Sequence, residues 1–412
     1  MPAVIDSAAR RISLDVNDPA FYANPLETYA RFHAECPAFQ WEEQSQWYFA
    51  GYDRVNGLLR DRRFGRQILH VATREELGMP EPKPHVKDFD RIEEHSLLEL
   101  EPPAHTRLRT LVNRAFVSRH IEQLKPEIEA LCHRLIDGFE KDGEVELLKT
   151  YAEIVPVTVI ARMLGVPVEM APKLLDWSHS MVKMYMFNPS YETELEANQA
   201  SADFAGYLKE LVDWKRDNPA DDLLTHMIVT EKDGERLTDD ELISTAVLLL
   251  NAGHEATVHQ VGNGVSTLLQ TGSDPATVLA DDATTEKTIE ETMRFAAPLH
   301  VFQRYALSDI ELEDGISLKK GDKIGLLLAA ANVDPQKFSD PLTFRPDRNE
   351  GAHLSFGAGL HFCIGAPLAR LELRQSLPIL FERLPGLRLK EEPKVKDSYH
   401  FHGLERLDLV WG

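Results

Sequence analysis

The chain has 412 residues, 43% hydrophobic and 27% charged, which is enough apolar side chain for a large core. Its formal net charge of -22 argues against general nucleic-acid binding and against attraction to an anionic membrane surface. Three cysteines, Cys36, Cys132 and Cys363, are too few for a disulfide framework and fit a reducing, cytoplasmic compartment.

The start of the chain shows no apolar signal region, and the apolar run 246–250 stops at Asn251. Nothing approaches the roughly 20 apolar residues of a membrane span. Length alone would allow two or three domains, but no Pro/Gly/Ser-rich linker or repeat divides the chain, and one large domain fits equally.

Residues 1–20 read as an irregular arm and 26–36 as a short helix. Aromatic-rich runs at 39–41 and 47–50 flank a polar turn and predict a β-hairpin, followed by a helix over 53–59. Residues 65–98 lack clear periodicity and hold Pro80, Pro82 and Pro84. Spans 121–137, 151–164, 171–186 and 192–216 read as helices. Trp177, Met181, Met184, Met186 and Phe187 make a methionine-rich apolar stretch before a break at Asn188-Pro189. Such residues at helical spacing build either core or pocket.

Thr238-Asp239-Asp240-Glu241 is a capping box that opens a long helix, expected to reach about Gln270. That helix is nearly all apolar through Leu250, so it is expected to be buried. Gly253 inside it costs about 1 kcal/mol against alanine, which makes sense if something lies against the backbone. Later, Pro378 should kink the helix after Cys363. The tail 401–410 reads as a final hairpin.

The most informative stretch runs from Phe356 to Pro367: Phe-Gly-Ala-Gly-Leu-His-Phe-Cys-Ile-Gly-Ala-Pro. Gly357, Gly359 and Gly365 allow backbone angles closed to other residues and a close approach to a flat ligand. Pro367 suits the first turn of a helix. Cys363 therefore sits just before a helix N-terminus, where free amides and the helix dipole favour a thiolate, either a nucleophile or a metal ligand.

Phe356-Gly-x-Gly-x-His-x-Cys363-x-Gly365 resembles the haem-binding signature of the cytochrome P-450 family. The resemblance makes Cys363 the axial ligand of haem iron, with Phe356, Gly357 and Gly365 beside the cofactor. Further segments agree with it, in order, over residues from about 20 to 410. Glu101-Pro-Pro-Ala-His105 with Arg109 resembles the family's propionate-binding segment, with Glu where Asp is more usual. Arg304 and His361 match further propionate partners. Ala252-Gly253-His254-Glu255-Ala256-Thr257 resembles the oxygen-binding segment. Ala252 and Gly253 would leave room for dioxygen, and Glu255 matches the acid. Ala256, however, stands where the family usually has threonine, and Thr257 lies one residue later, about 100° round the helix. Glu291-x-x-Arg294 with Arg348 matches the family's ionic trio, read here as a structural brace for the cysteine loop.

The resemblance implies a single domain over residues 1–412, mainly α and triangular, with a small β region. Haem b, iron protoporphyrin IX, would lie between the long helix and the helix after the cysteine. It implies a hydroxylase that inserts one oxygen atom of O2 into an apolar small molecule such as a terpene, steroid, fatty acid or aromatic compound. By family position Met181, Met184, Leu249, Leu299, Val301, Phe302 and Phe401 line the substrate pocket. Electrons must come from NAD(P)H through a separate ferredoxin or flavodoxin and its reductase, since no Gly-rich dinucleotide fingerprint appears. Arg107, Arg114, Arg370 and Arg374 are candidates for the basic docking patch. A cytoplasmic monomer without nucleic-acid or membrane partners is expected. Two alternatives stay open: a peroxide-driven or rearranging haem-thiolate enzyme, and a non-enzymatic metal- or haem-binding protein in which His353, His361 and Cys363 hold zinc.

Overall fold

The computed structural model describes residues 3–115, 118–186, 188–232 and 234–412, mainly as α-helix with short strands. Two compact units divide the chain: Met1–Ile68, Glu129–Ala152 and Ala256–Gly412 form the first, Leu69–Ile128 and Glu153–Glu255 the second.

The first unit carries a seven-stranded sheet. Its strands in spatial order are Val4–Asp6, Arg11–Ser13, Ala38–Trp41, Gln46–Phe49, Lys323–Leu327, Val301–Ala306 and Phe64–Gly65. The expected hairpin is present, with Phe39 opposite Tyr48. Lys323–Leu327 runs parallel beside it and antiparallel to Val301–Ala306, so Ile324 faces Trp47 on one side and Arg304 on the other. The helix Tyr52–Arg60 buries Val55, Leu58 and Leu59 in one cluster with Leu326, Phe338 and Leu354. The helix Asp282–Phe295 packs on the helix Ala366–Arg383, which runs on with Pro378 inside it.

Two expectations fail at the ends of the chain. Within the arm expected over 1–20, the described residues are not irregular throughout: Val4–Asp6 pairs with Arg11–Ser13, which continues the sheet beside Ala38–Trp41. Ile12 is fully buried, and that burial anchors the edge. The tail is not one hairpin either. Leu404–Arg406 pairs with Lys394–Val395, whereas Asp408–Val410 lies between Arg388–Leu389 and Glu144–Glu146. Buried Leu407 separates the two pairings.

The second unit is a helical layer. Tyr191–Asp217 packs on Ala171–Val182 and on Lys87–Glu94. The last of these helices lies in a segment that showed no clear periodicity. Its signal is short: Phe89 and Ile92, three apart and both buried. Asn198 Oδ1 accepts the Asp88 amide at 2.8 Å and fixes the start of that helix. The expected helix 121–137 is two, Ser118–Gln123 and Lys125–Asp137, with Pro126 in the opening turn of the second.

The long helix spans Asp239–Gln270. Both halves of its capping box form: Thr238 N donates to Glu241 Oε2 at 2.9 Å, and Glu241 N donates to Thr238 Oγ1 at 3.2 Å. The boundary between the units falls inside it, after Glu255.

Candidate haem-thiolate site

In the first unit, the loop before Cys363 is closed by two backbone bonds, Gly357 N to Leu354 O at 2.8 Å and Cys363 N to Phe356 O at 3.0 Å. Gly357 and Gly359 take φ of +67° and +70°, the left-handed region that glycine enters freely. Space imposes glycine as well. A β-carbon on Gly359 would stand 2.5 Å from the Leu59 carbonyl oxygen, and one on Gly357 3.1 Å from the Phe302 ring. Gly365 departs from the expectation. Its φ is -81°, open to any residue, and it serves as N-cap of Ala366–Arg383.

Cys36 and Cys132 are buried, and Cys363 is partly exposed. Burial raises the thiol of Cys36 and pushes that of Cys132 up to about 11, so both stay protonated. Beside Cys363 stands Arg370, whose pKa is raised chiefly by its bond to Glu290 and less by the charge of Cys363. Arg370 Nε and Nη2 donate to the two oxygens of Glu290 at 2.6 and 2.9 Å, and its guanidinium lies 4.6 Å above the Phe356 ring. His353 Nε2 is 3.3 Å from the same carboxylate. Burial works against the Glu290 charge, but Arg370 and His353 hold its pKa at about 2. Sequence reasoning passed over Glu290 and gave Arg370 to a docking patch. A pair of adjacent glutamates, each claimed by a different arginine, was the available signal.

The neighbouring Glu291 gathers the ionic trio. Arg294 Nε and Nη2 donate to its two oxygens, both at 2.8 Å, and Arg348 Nε reaches each oxygen at 3.2 Å. Glu291 also accepts the Arg345 amide at 2.8 Å. The arginines spend their other donors on backbone: Arg294 on Asn332 and Pro341 carbonyls, Arg348 on those of Ser339, Asp340 and Thr343. One buried carboxylate thus ties the helix Asp282–Phe295 to the segment that leads into the cysteine loop.

Of the residues matched to propionates, Arg304 is buried in the first unit and His361 half-buried. His105 in the second unit is fully buried, with Arg109 one turn on and half-buried. Two of the docking-patch arginines are engaged by carboxylates, each within its own unit: Arg370 by Glu290, and Arg107 by Glu241 and, at 3.8 Å, Glu235. Arg114 donates to the Glu231 carbonyl at 3.0 Å, and Arg374 is half-buried.

On the long helix, Leu248 and Ala256 are half-buried and Ala252 is exposed, while most residues from 241 to 268 are buried. Spaced four apart, the three share one face. Ala252 and Ala256, with Gly253 beside them, make a stretch of small residues on that face in the middle of a buried helix. A β-carbon on Gly253 would meet Ile160 at 3.5 Å, an ordinary contact, so alanine fits there. The accessible surface comes from Ala252 and Ala256. Thr257 is buried within an uninterrupted α-helix, without the bulge that would bring it round to the stripe. Glu255 is buried too, and its Oε2 lies 3.7 Å from Nε2 of His179, a residue that sequence reasoning did not single out.

The pocket candidates divide between the units. In the second, Met181 and Leu249 are buried, Met184 is half-buried, and Asn251 Nδ2 lies 3.7 Å from Met181 Sδ. In the first, Leu299 and Phe401 form an isolated bridge, Val301 is buried, and Phe302 lies under Gly357. Phe187 lies outside the described residues.

An accessible thiol on a glycine-locked loop, a stripe of small residues on a buried helix, and basic side chains for carboxylates are what a haem with an axial thiolate needs. The comparisons agree. The family model "Cytochrome P450" matches residues 279–404. The chain is 36% identical to the cytochrome P450 monooxygenase PikC of Streptomyces venezuelae, over 95% of this chain and 92% of that protein. It is 33% identical to the polyketide biosynthesis cytochrome P450 PksS of Bacillus subtilis, over 94% and 96%. The solved structure of P450BioI, in complex with an acyl carrier protein ligated to hexadec-9Z-enoic acid, matches with a TM-score of 0.88 at 31% identity, over 95% of this chain and 100% of that one.

Fold and relatives together define a haem-thiolate oxidoreductase. The chain belongs to the cytochrome P450 family and is a monooxygenase that uses haem and dioxygen. Among the described residues, no helix is long and apolar enough to cross a membrane.

Proposed function

We propose that this enzyme, as one domain over residues 1–412, inserts an oxygen atom into a C–H bond of a large apolar small molecule. The observation that carries the reading is the accessible Cys363 thiol, held by Gly357 and Gly359 while Cys36 and Cys132 are buried. Haem, when bound, supplies the activation of dioxygen. Cys363 would hold its iron through sulfur, with Arg370 beside it favouring the thiolate. His105, Arg109, Arg304 and His361 would hold the propionates, and Phe356, Gly357 and Gly365 would flank the cofactor. Ala252, Gly253 and Ala256 would leave room for dioxygen. Met181, Met184, Leu249, Leu299, Val301, Phe302 and Phe401 would shape the substrate pocket.

Glu255 is the proton-holding group of this reading. It is buried in the same turn as Ala252 and Ala256, and the alcohol at the next positions is either absent, at Ala256, or buried in the helix, at Thr257. A positioned carboxyl is typically worth 10²–10⁴-fold in such a role. The relative PksS, whose name mentions polyketide biosynthesis, and the acyl-loaded P450BioI complex favour a polyketide or long-chain acyl substrate. Electrons would come from NAD(P)H through a ferredoxin, or a flavodoxin, and its reductase. The three free cysteines suit the cytoplasm, and the chain would act as a monomer.

The test is spectroscopic. Reduced protein under carbon monoxide should give a thiolate-type Soret band, and ferric protein titrated with polyketides, fatty acids, steroids, terpenes and aromatic compounds should change spin state with its substrate class. A reduced carbon monoxide complex of histidine type would overturn the reading. Ala256 favours a second reading, peroxide-driven oxygen transfer. Product formation with peroxide alone, faster than with donor proteins and NAD(P)H, would select it.

A further inference from the structure

The geometry points to a divalent transition-metal site made by His179, His254 and Glu255, all in the second unit. His179 lies on the helix Ala171–Val182 and the other two on the long helix. Their ligand atoms all lie within 4.8 Å of one another. One oxygen, Glu255 Oε2, is 3.7 Å from His179 Nε2 and 3.9 Å from His254 Nδ1. Both separations are too long for a hydrogen bond, which needs about 2.7–3.2 Å. They are close to the roughly 3.3 Å between ligands around a tetrahedral ion with bonds near 2.0–2.1 Å. The two rings, with centroids 5.4 Å apart and planes at 56°, are not stacked on each other. A shift of about half an ångström in each side chain, within rotamer freedom, brings these distances to coordination spacing.

Chemistry selects the ion. Two imidazoles and one carboxylate suit zinc and its neighbours rather than magnesium or calcium, which take oxygen ligands. Three protein ligands leave a fourth position for water. His254 and Glu255 are buried, and the His179 side chain is 45% exposed, so His179 is the solvent side of the site and the entry path.

An ion here would also hold Glu255 by its oxygen and take it out of proton handling. That consequence, unlike the binding itself, rests on the role given to Glu255 under the proposed function. Zinc would then act as a reversible brake on turnover.

Binding is read first, on the haem-loaded protein, by calorimetric titration with zinc chloride in a non-chelating buffer. Wild type should show one tight equivalent, weakened at least about 100-fold in His179→Ala and in Glu255→Gln, since even a partner behind a ligand is worth 10–100-fold in affinity. His179 is half-exposed, so its replacement by alanine leaves a foldable chain. Isotherms that superpose across wild type and either variant, or no tight equivalent in wild type, overturn the site. Product per NAD(P)H is then measured with and without zinc. A loss in wild type that is absent in His179→Ala supports the brake. Zinc bound at this site with turnover untouched leaves the site standing and overturns the proton role of Glu255.

Discussion

Arg348 reaches both oxygens of Glu291 at 3.2 Å across 57 positions of sequence, while Arg294 takes the same two oxygens at 2.8 Å from one turn away. Removing the carboxylate leaves two buried guanidinium groups with only backbone carbonyls and Glu350 to meet them. Breaking a buried ionic cluster from one side costs about 3–5 kcal/mol. Glu291→Ala should therefore lower the melting temperature by many degrees and yield little haem-loaded protein. Normal expression with full haem content and unchanged melting would remove the brace.

Cys363→His should still take up haem, because histidine is a common axial ligand. Its reduced carbon monoxide complex should lose the thiolate-type band. A retained band would move the ligand to Cys36 or Cys132, both of which are buried.

Gly359→Ala tests whether the loop depends on its backbone. The left-handed angle alone costs an L-residue about 1–2 kcal/mol, and the new methyl would press on the Leu59 carbonyl. Lower thermal stability and lower haem occupancy are expected. A substitution at Gly365, whose φ is -81°, should be milder. Equal losses at both positions would show that the angle is not what matters.

Coupling of NAD(P)H use to product should identify the proton-holding residue. Ala256→Thr should keep or improve it, Thr257→Val should change it little, and Glu255→Gln should slow turnover by about 10²–10⁴-fold. Hydrogen peroxide measured beside product reports uncoupling. If Thr257→Val collapses coupling and Glu255→Gln does not, Thr257 is the donor despite its buried position in the helix.

A buried histidine sets a pH limit on stability. His300 lies in the core, bonded through Nδ1 to the Tyr29 hydroxyl at 2.7 Å and stacked on His402. Burial, and then the nearby His402, holds its pKa well below the ordinary imidazole value. The folded pKa is thus lower than the unfolded one, near 6.5. The unfolded chain binds more protons in between, so this contribution is present above about pH 6.5 and is lost as pH falls below it. Melting temperature should drop on acidification from pH 7 to 5, and His300→Gln should flatten that slope. An unchanged slope would assign the acid sensitivity to other groups.

Much of this enzyme was legible without coordinates because its signals are local. Thr238 and Glu241, three residues apart, cap the long helix, and Gly357 and Gly359 before Cys363 state their backbone angles directly. Glu291 and Arg294 share a helix face by spacing alone, and only the family resemblance supplied Arg348 from 57 residues away. Where the reading failed, the deciding contact was distant or marginal. The strand Arg11–Ser13 exists because Ile12 finds a core beside Ala38–Trp41, which no three-residue pattern announces. Arg370 reads from sequence as part of a docking patch, and nothing local shows that packing also sets it against Glu290, 80 positions earlier. His179 and Glu255 are 76 residues apart with no shared period. Spacing can report contacts within a helix or a turn, since backbone geometry fixes them. Which distant charges meet was decided by the burial of the helices that carry them, and only the tertiary structure holds that.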